Sequence, residues 1–265
     1  MTEVTGVIQC YFSTLDFRVL IFTLMDTELR KKKILEIILK AHIETGEPVG
    51  SRYVSNILGL SSATIRNIMA ILEEEGYIDQ PHTSAGRLPT EMAYRDYANS
   101  LLNQMYSLGY EVDKINREVF SRYTTYTEII ENASSAISRL TNYTSFVIYP
   151  KDHIYMDGMY HLFEYQEFKT LKQAMRLLKV LDEKEKLLNL INEYLATGIL
   201  NIRIGRENKV DGFEACTIIA ASYTVRKKVV GGVGIIGPVR MKYRKVVPIV
   251  RHLADSFSRM LERVI

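Results

Sequence analysis

Residues 48–90 read PVGSRYVSNILGLSSATIRNIMAILEEEGYIDQPHTSAGRLPT. Two short helical patterns separated by Gly59 are followed by a polar, turn-rich stretch that holds one arginine, Arg87. That order is the one in which a winged helix-turn-helix offers one helix to the DNA major groove and a loop to the backbone beside it. Ser51 is expected to cap a short helix through Ile57, with Val54, Ile57 and Leu58 inward, and Gly59 permits the left-handed turn that ends it. Ser61 or Ser62 caps the next helix, whose inward residues are Ile65, Ile68, Met69 and Leu72, with Gly76 closing it.

The outward residues of that second helix point to a chemistry. Ser62, Ala63, Thr64, Arg66 and Asn67 occupy its first two turns, the end that a recognition helix directs at base edges. An arginine pairs bidentately with guanine and an asparagine with adenine, while Ala or a Thr methyl suits the thymine methyl. Glu73, Glu74 and Glu75 stand only at the far end, where they face away from phosphate. Tyr77–Gln80 reads as a short strand, and the loop that follows carries His82, Thr83, Ser84 and Arg87. Arg87 and the two hydroxyls suit phosphate or minor-groove contacts, and Ser51 and Arg52 complete the candidate DNA-binding set. His82 alone reads more simply as a solvated loop histidine.

Upstream, Thr27–Thr45 spaces Leu29, Ile34, Ile37, Ile38 and Ala41 along one helix face, with Lys31, Lys32, Lys33 and Lys40 falling largely elsewhere and Gly46 as the stop. Pro89 and Thr90 are expected to start a linking helix through Gly109, striped by Tyr94, Tyr97, Leu101, Leu102 and Met105. Helical spacing continues over Glu118–Leu140, Asn142–Tyr143 turns, and Ser145–Tyr149 is a strand. Two helices follow, Gln166–Val180 and Asp182–Ala196, the latter with Asp182 and Glu185 spaced as a capping box. Ile199–Ile204 and Cys216–Val225 read as strands, Arg226–Lys228 as the turn into a hairpin over Val229–Gly237, and Val246–Val264 as a final amphipathic helix. Helices from both ends of this half flank its strands, which fits an α+β domain of GAF type.

At these residues a family resemblance emerges. ETGEPVGSR, SSATIRNIMAILEEEGYI and QPHTSAGRLPT resemble the DNA-binding domain of the bacterial heat-inducible transcription repressor family, HrcA. Residues 154–164, KLLNLINEY, NIRIGREN and VVGGVGIIGPVRMKYRKVVPIVRHLADSFSRML resemble its C-terminal half in the same order. The resemblance implies a cytoplasmic repressor that binds an inverted-repeat operator on double-stranded DNA as a homodimer, with the GroE chaperonin as a partner. It implies a winged-helix domain and a GAF-like domain into which a dimerisation domain is inserted. This chain passes almost directly from Pro150 to His153, where the family usually has many tens of further residues, so most of the inserted domain is missing. The expected organisation is an extension over 1–24 (Met25 being an alternative start), a winged-helix domain with linking helix over 25–106, and a GAF-like domain over 107–265.

Composition narrows the other classes. The 265 residues are 47% hydrophobic and 25% charged, ordinary values for a globular protein. Two cysteines, Cys10 and Cys216, argue against a disulfide framework or a cysteine-rich zinc site. Phe17–Leu24 is too short and lacks the basic flank of a signal peptide, and no run reaches the ~18 apolar residues of a bilayer span. The net charge of +3 is mild, and residues 27–106 hold nine basic against ten acidic side chains, contrary to the usual basic footprint of a DNA-binding domain. DNA binding therefore requires the positive charges to cluster on one face.

Two chemical motifs are outweighed. Gly232-Val-Gly-Ile-Ile-Gly237 matches a dinucleotide fingerprint, yet it lies in a β-rich run ahead of Pro238 and not at a helix start. His153, His161 and Cys216 match no metal-ligand spacing. No catalytic residue, metal or cofactor is expected. The alternative function is a ligand-sensing GAF-like regulator whose DNA binding is controlled by a small molecule. A third reading is an interaction subunit without DNA affinity.

Overall fold

The computed structural model describes residues 26–103, 126–149 and 153–264. Expectations for residues 1–25, for 104–125 and for 150–152, including the boundary at 106/107, lie outside these. The chain divides into two compact units between Tyr97 and Ala98. Among the described residues, no helix is long and apolar enough to cross a membrane.

The N-terminal unit begins with α1 (Thr27–Thr45), where Asp26 accepts a hydrogen bond from the Leu29 amide at 2.8 Å and Gly46 ends the helix in the left-handed region. Ile34, Ile37, Ile38 and Ala41 are buried as their spacing predicts. Two positions exchange roles: Leu29 is 49% exposed, whereas Lys31 is only 8% exposed. The Lys31 ammonium reaches Glu28 at 2.7 Å and Glu75 at 2.5 Å, so its stem packs inward while its charge is met by two carboxylates.

Helix α2 (Ser51–Leu58) buries Val54 and Leu58 but leaves Ile57 40% exposed, so the expectation of three inward residues is corrected to two. An eight-residue helix held between two neighbours has only one buried stripe, and Ile57 lies beside it. Gly50, not Ser51, stands at its cap position, and Ser51 is its first helical residue. Helix α3 (Ser62–Glu74) buries Ile65, Ile68, Met69 and Leu72 against α1 and α2. Each such side chain contributes about 1.5–3 kcal/mol by leaving water. The helix ends in a Schellman arrangement, with the Tyr77 amide on Leu72 O at 2.9 Å and the Gly76 amide on Glu73 O at 3.0 Å. Gly76 has φ +80°, the conformation that this ending needs.

Strands β1 (Ile78–Asp79) and β2 (Leu88–Pro89) form an antiparallel ribbon, with Ile78 opposite Pro89. Pro89 thus belongs to the ribbon and not to the next helix. Thr90 stands before α4 (Glu91–Asn103), its hydroxyl accepting from the Ala93 amide at 3.4 Å.

The C-terminal unit holds α5 (Tyr126–Thr141), β3 (Thr144–Ile148), β4 (Ile154–Asp157), α6 (Leu171–Asp182), α7 (Lys184–Ala196), β5 (Leu200–Ile204), β6 (Cys216–Val225), β7 (Lys228–Pro238) and α8 (Tyr243–Val264). The sheet is antiparallel throughout, in the order β4-β3-β7-β6-β5. On one face Phe146, Ile218, Ala220 and Ile236 pack with Leu177 and Leu181 of α6 and with Ile191 and Leu195 of α7. The alternate residues turn to the other face, where Tyr223 stacks on Phe257 of α8 at 5.2 Å and Ser145 donates to Ser134 O of α5. Helices therefore cover both faces of one sheet, an α+β arrangement.

Two local expectations change here and a third holds. Strand β4 was not foreseen: four residues of an edge strand, all half-buried, give no alternating pattern. Asp182 ends α6 and Glu183 stands at the cap position of α7 without a side-chain cap bond, so no Asp182–Glu185 capping box forms. The turn Arg226–Lys227 does join β6 to β7, with φ +48° and +65°, the paired left-handed conformation of a tight hairpin.

Candidate nucleic-acid interface

Ser61, rather than Ser62, caps α3: its hydroxyl accepts from the Thr64 amide at 3.1 Å and lies 2.9 Å from the Thr64 hydroxyl. The cap starts the helix, and the buried residues Ile65, Ile68 and Met69 fix its rotation. The opposite face then has no choice but solvent. Ala63, Thr64, Arg66 and Asn67 are exposed and Ser62 is half-buried. Among the described residues, neither Arg66 nor Asn67 makes a side-chain hydrogen bond or ion pair. Both therefore have their donors and acceptors available to an outside partner.

The charge distribution answers the question raised by the composition. From Ser51 to Leu72 the chain has no acidic side chain and two arginines, Arg52 and Arg66, both exposed. Outside that stretch four cations have carboxylate partners. Lys31 meets Glu28 and Glu75, Lys33 and Lys40 meet Glu36, and Arg87 meets Glu73. The nearly neutral sum thus conceals a segregation: all ten acids of residues 27–106 lie outside the stretch that carries Arg52 and Arg66.

The loop between β1 and β2 is built by backbone and amide contacts. Gln80 donates from Nε2 to Thr83 O at 3.0 Å and to Ala85 O at 2.9 Å, and the Ala85 amide closes a turn on His82 O at 2.9 Å. Val49 and Arg87 exchange two backbone hydrogen bonds of 2.9 Å. A Cβ on Gly86 would lie 2.5 Å from the Val49 carbonyl carbon, so only glycine permits this approach. His82, Thr83 and Ser84 stand exposed at the loop tip.

Arg87, expected to contact phosphate or the minor groove, has an intramolecular partner. Its Nε donates to Glu73 Oε2 at 2.9 Å, and its side chain is 20% exposed. Glu73 is accordingly not an idle solubilising residue but the partner of the loop arginine. Ser51 is half-buried without a capping role, and Arg52 beside it is exposed. Sequence reasoning passed over Gln80, whose double amide bond shapes the loop, and Tyr53 and Asn56, exposed on α2 beside Arg52. Their spacing on a short acid-free helix was the available signal.

The other motifs settle as packing. Gly232, Gly234 and Gly237 lie inside β7; a Cβ there would meet Leu195, the Ile219 carbonyl with Phe146, and Met241 with Tyr143. Close approach of neighbouring layers explains the spacing without a phosphate. Burial raises the Cys216 thiol well above its ordinary pKa, and His161 lies buried with Nδ1 3.4 Å from Glu164. Among the described residues, no group of three or more His, Cys, Asp or Glu is placed to hold a metal ion.

Comparison with known proteins finds similarity along most of the chain. Residues 150–247 match the family described as HrcA protein C terminal domain. The heat-inducible transcription repressor HrcA of Brevibacillus brevis is 28% identical over an alignment of 333 positions that takes in 88% of this chain and 97% of the relative. Its counterpart from Moorella thermoacetica is 26% identical, covering 91% and 99%. The first alignment is about a hundred positions longer than the part of this chain in it, which is shortened relative to the repressor. A crystal structure of a hypothetical protein at 2.2 Å shares the fold, with a TM-score of 0.75 and 19% identity over 89% of this chain and 99% of that one. The chain resembles the heat-inducible transcription repressors along about nine-tenths of its length, in both of its units.

Proposed function

We propose that the chain is a sequence-specific DNA-binding transcriptional repressor of the heat-inducible type, acting in the cytoplasm and without enzymatic activity. The N-terminal unit is read as a winged helix-turn-helix, with α3 as recognition helix and the β1–β2 loop as wing. The C-terminal unit is read as GAF-like. Binding of an inverted-repeat operator as a homodimer, and partnership with the GroE chaperonin, belong to the same reading through the resemblance to the repressors.

One observation carries the proposal: the exposed, unpaired Arg66 and Asn67 on a serine-capped helix within an acid-free stretch of the chain. Base-edge recognition needs donors and acceptors that no intramolecular partner has claimed, in a field that does not repel phosphate. Within the candidate set, Arg66 and Asn67 read bases, Ala63 and Thr64 meet thymine methyls, and Ser51, Arg52, Ser62, His82, Thr83 and Ser84 contact the backbone.

The test is a titration of purified protein with duplexes recovered from a random pool, repeated over a salt series. The expected result is a recovered inverted repeat whose affinity falls steeply as salt rises. Equal and weak affinity for every duplex would refute sequence-specific repression.

A further inference from the structure

We infer that Glu73 and Arg87 form a clasp that sets the wing against the recognition helix, so that Arg87 positions the loop and does not itself grip DNA. This rests on the reading of α3 and the loop given above. The backbone of Arg87 is fixed by its two bonds to Val49, and its Nε is fixed by Glu73 on the last turn of α3, 14 residues earlier. Among the described residues, this ion pair is the side-chain bond that runs directly from the loop to α3. The other restraints tie the loop to itself, through Gln80, or to the segment ahead of α2, through Val49.

The geometry explains an otherwise costly choice. A carboxylate near a DNA-facing loop repels phosphate, so Glu73 would be disfavoured if it did nothing. Paired with Arg87, both partners being partly shielded, it neutralises a cation that would otherwise sit close to the duplex. The pair thereby exchanges one phosphate contact for a pre-set loop. In the free protein the loop tip at His82, Thr83 and Ser84 is held where α3 requires it, which removes the affinity lost to loop conformers that cannot bind.

The prediction runs against simple electrostatics. Glu73→Ala removes a negative charge and frees a positive one, yet it should weaken binding of the recovered duplex about fivefold, the size expected of losing one partly exposed ion pair. Arg87→Ala should weaken it to a similar degree, and the double variant should be no weaker than the worse single one. The salt dependence should keep its wild-type slope in all three, since no phosphate contact is lost. Binding by Glu73→Ala that equals or exceeds wild type, with Arg87→Ala weaker and its salt slope reduced by about one, would overturn the clasp and make Arg87 a phosphate ligand. Glu73→Gln, which keeps the side-chain size, serves if the alanine variant loses its cooperative melt. The failures are separable: wild type that selects no duplex refutes the repressor reading, whereas selection by wild type with unweakened Glu73 variants refutes only the clasp.

Discussion

The two ends of helix α3 are made of different chemistry. Its first two turns, Ser62 to Asn67, present hydroxyls, a methyl, a guanidinium and an amide to solvent, with no acid and, among the described residues, no side-chain partner for Arg66 or Asn67. Its last turn presents carboxylates, two of which are bound: Glu73 to Arg87 and Glu75 to Lys31. One end is left available and the other is fastened to the rest of its unit. The contrast teaches that a domain's summed charge says little about its partner when its charges are segregated by position and some are paired. Nine cations and ten acids imply indifference to DNA; the same residues sorted by position do not.

The contrast can be attacked most strongly by making the free end resemble the fastened one. Thr64 lies three residues after the cap Ser61, where a glutamate would complete a capping box and meet the positive end of the helix dipole. Thr64→Glu should therefore raise the stability of the N-terminal unit by about 0.3–1 kcal/mol in a thermal melt. It should also cost several kcal/mol of DNA affinity through repulsion of phosphate, roughly a hundredfold or more in a binding titration. A variant that melts higher and still binds DNA as wild type does would remove the reason given for the missing acid.

Adjacent residues of α3 offer the next contrast. Ile65→Ala empties a fully buried position and should destabilise the unit by about 2–5 kcal/mol, visible as a lowered melting temperature. Arg66→Ala, one residue on, should leave the melt within about 0.5 kcal/mol of wild type, as exposed substitutions do. Ser61→Ala removes the cap that orients the free end and should cost about 1 kcal/mol in the same measurement.

At the fastened end the expected effect is smallest and depends on pH. Hydrogen bonds that the Lys31 ammonium donates to Glu28 and then to Glu75 hold it above its ordinary 10.5. A raised lysine stabilises the fold fully below its unfolded value and loses that contribution as pH climbs through the folded one. Lys31→Met should therefore differ from wild type in chemical denaturation at neutral pH, and the difference should shrink above pH 10.5. A difference that grew with alkalinity would contradict the paired arrangement.

Much of this was legible because the signals are local. A serine cap, four apolar residues at helical spacing and a closing Gly76 specify α3 within one stretch of chain, and the exposed set on its other face follows. The hairpin from Cys216 to Pro238 was similarly open to reading, since alternation and a short turn are neighbours in sequence. What escaped depends on residues far apart. Arg87 looked free because Glu73 lies on another element, and Lys31 looked like a solvated lysine because Glu75 is 44 residues away. Ser51 and Asp182 fit capping patterns, but the cap positions fall to their chain neighbours Gly50 and Glu183. Pro89 resembled a helix start, but its pairing with Ile78 drew it into the ribbon.

Selection of bound duplexes from a random pool, run in parallel with wild type and with Arg66→Ala, bears most directly on the free end of α3. Wild type should enrich an inverted repeat, and Arg66→Ala should enrich the same repeat with preference lost at one symmetry-related base pair in each half, at a cost of about 1–3 kcal/mol. Identical enrichment by the two proteins would show that the exposed arginine reads no base, and the assignment of α3 as the recognition helix would fall.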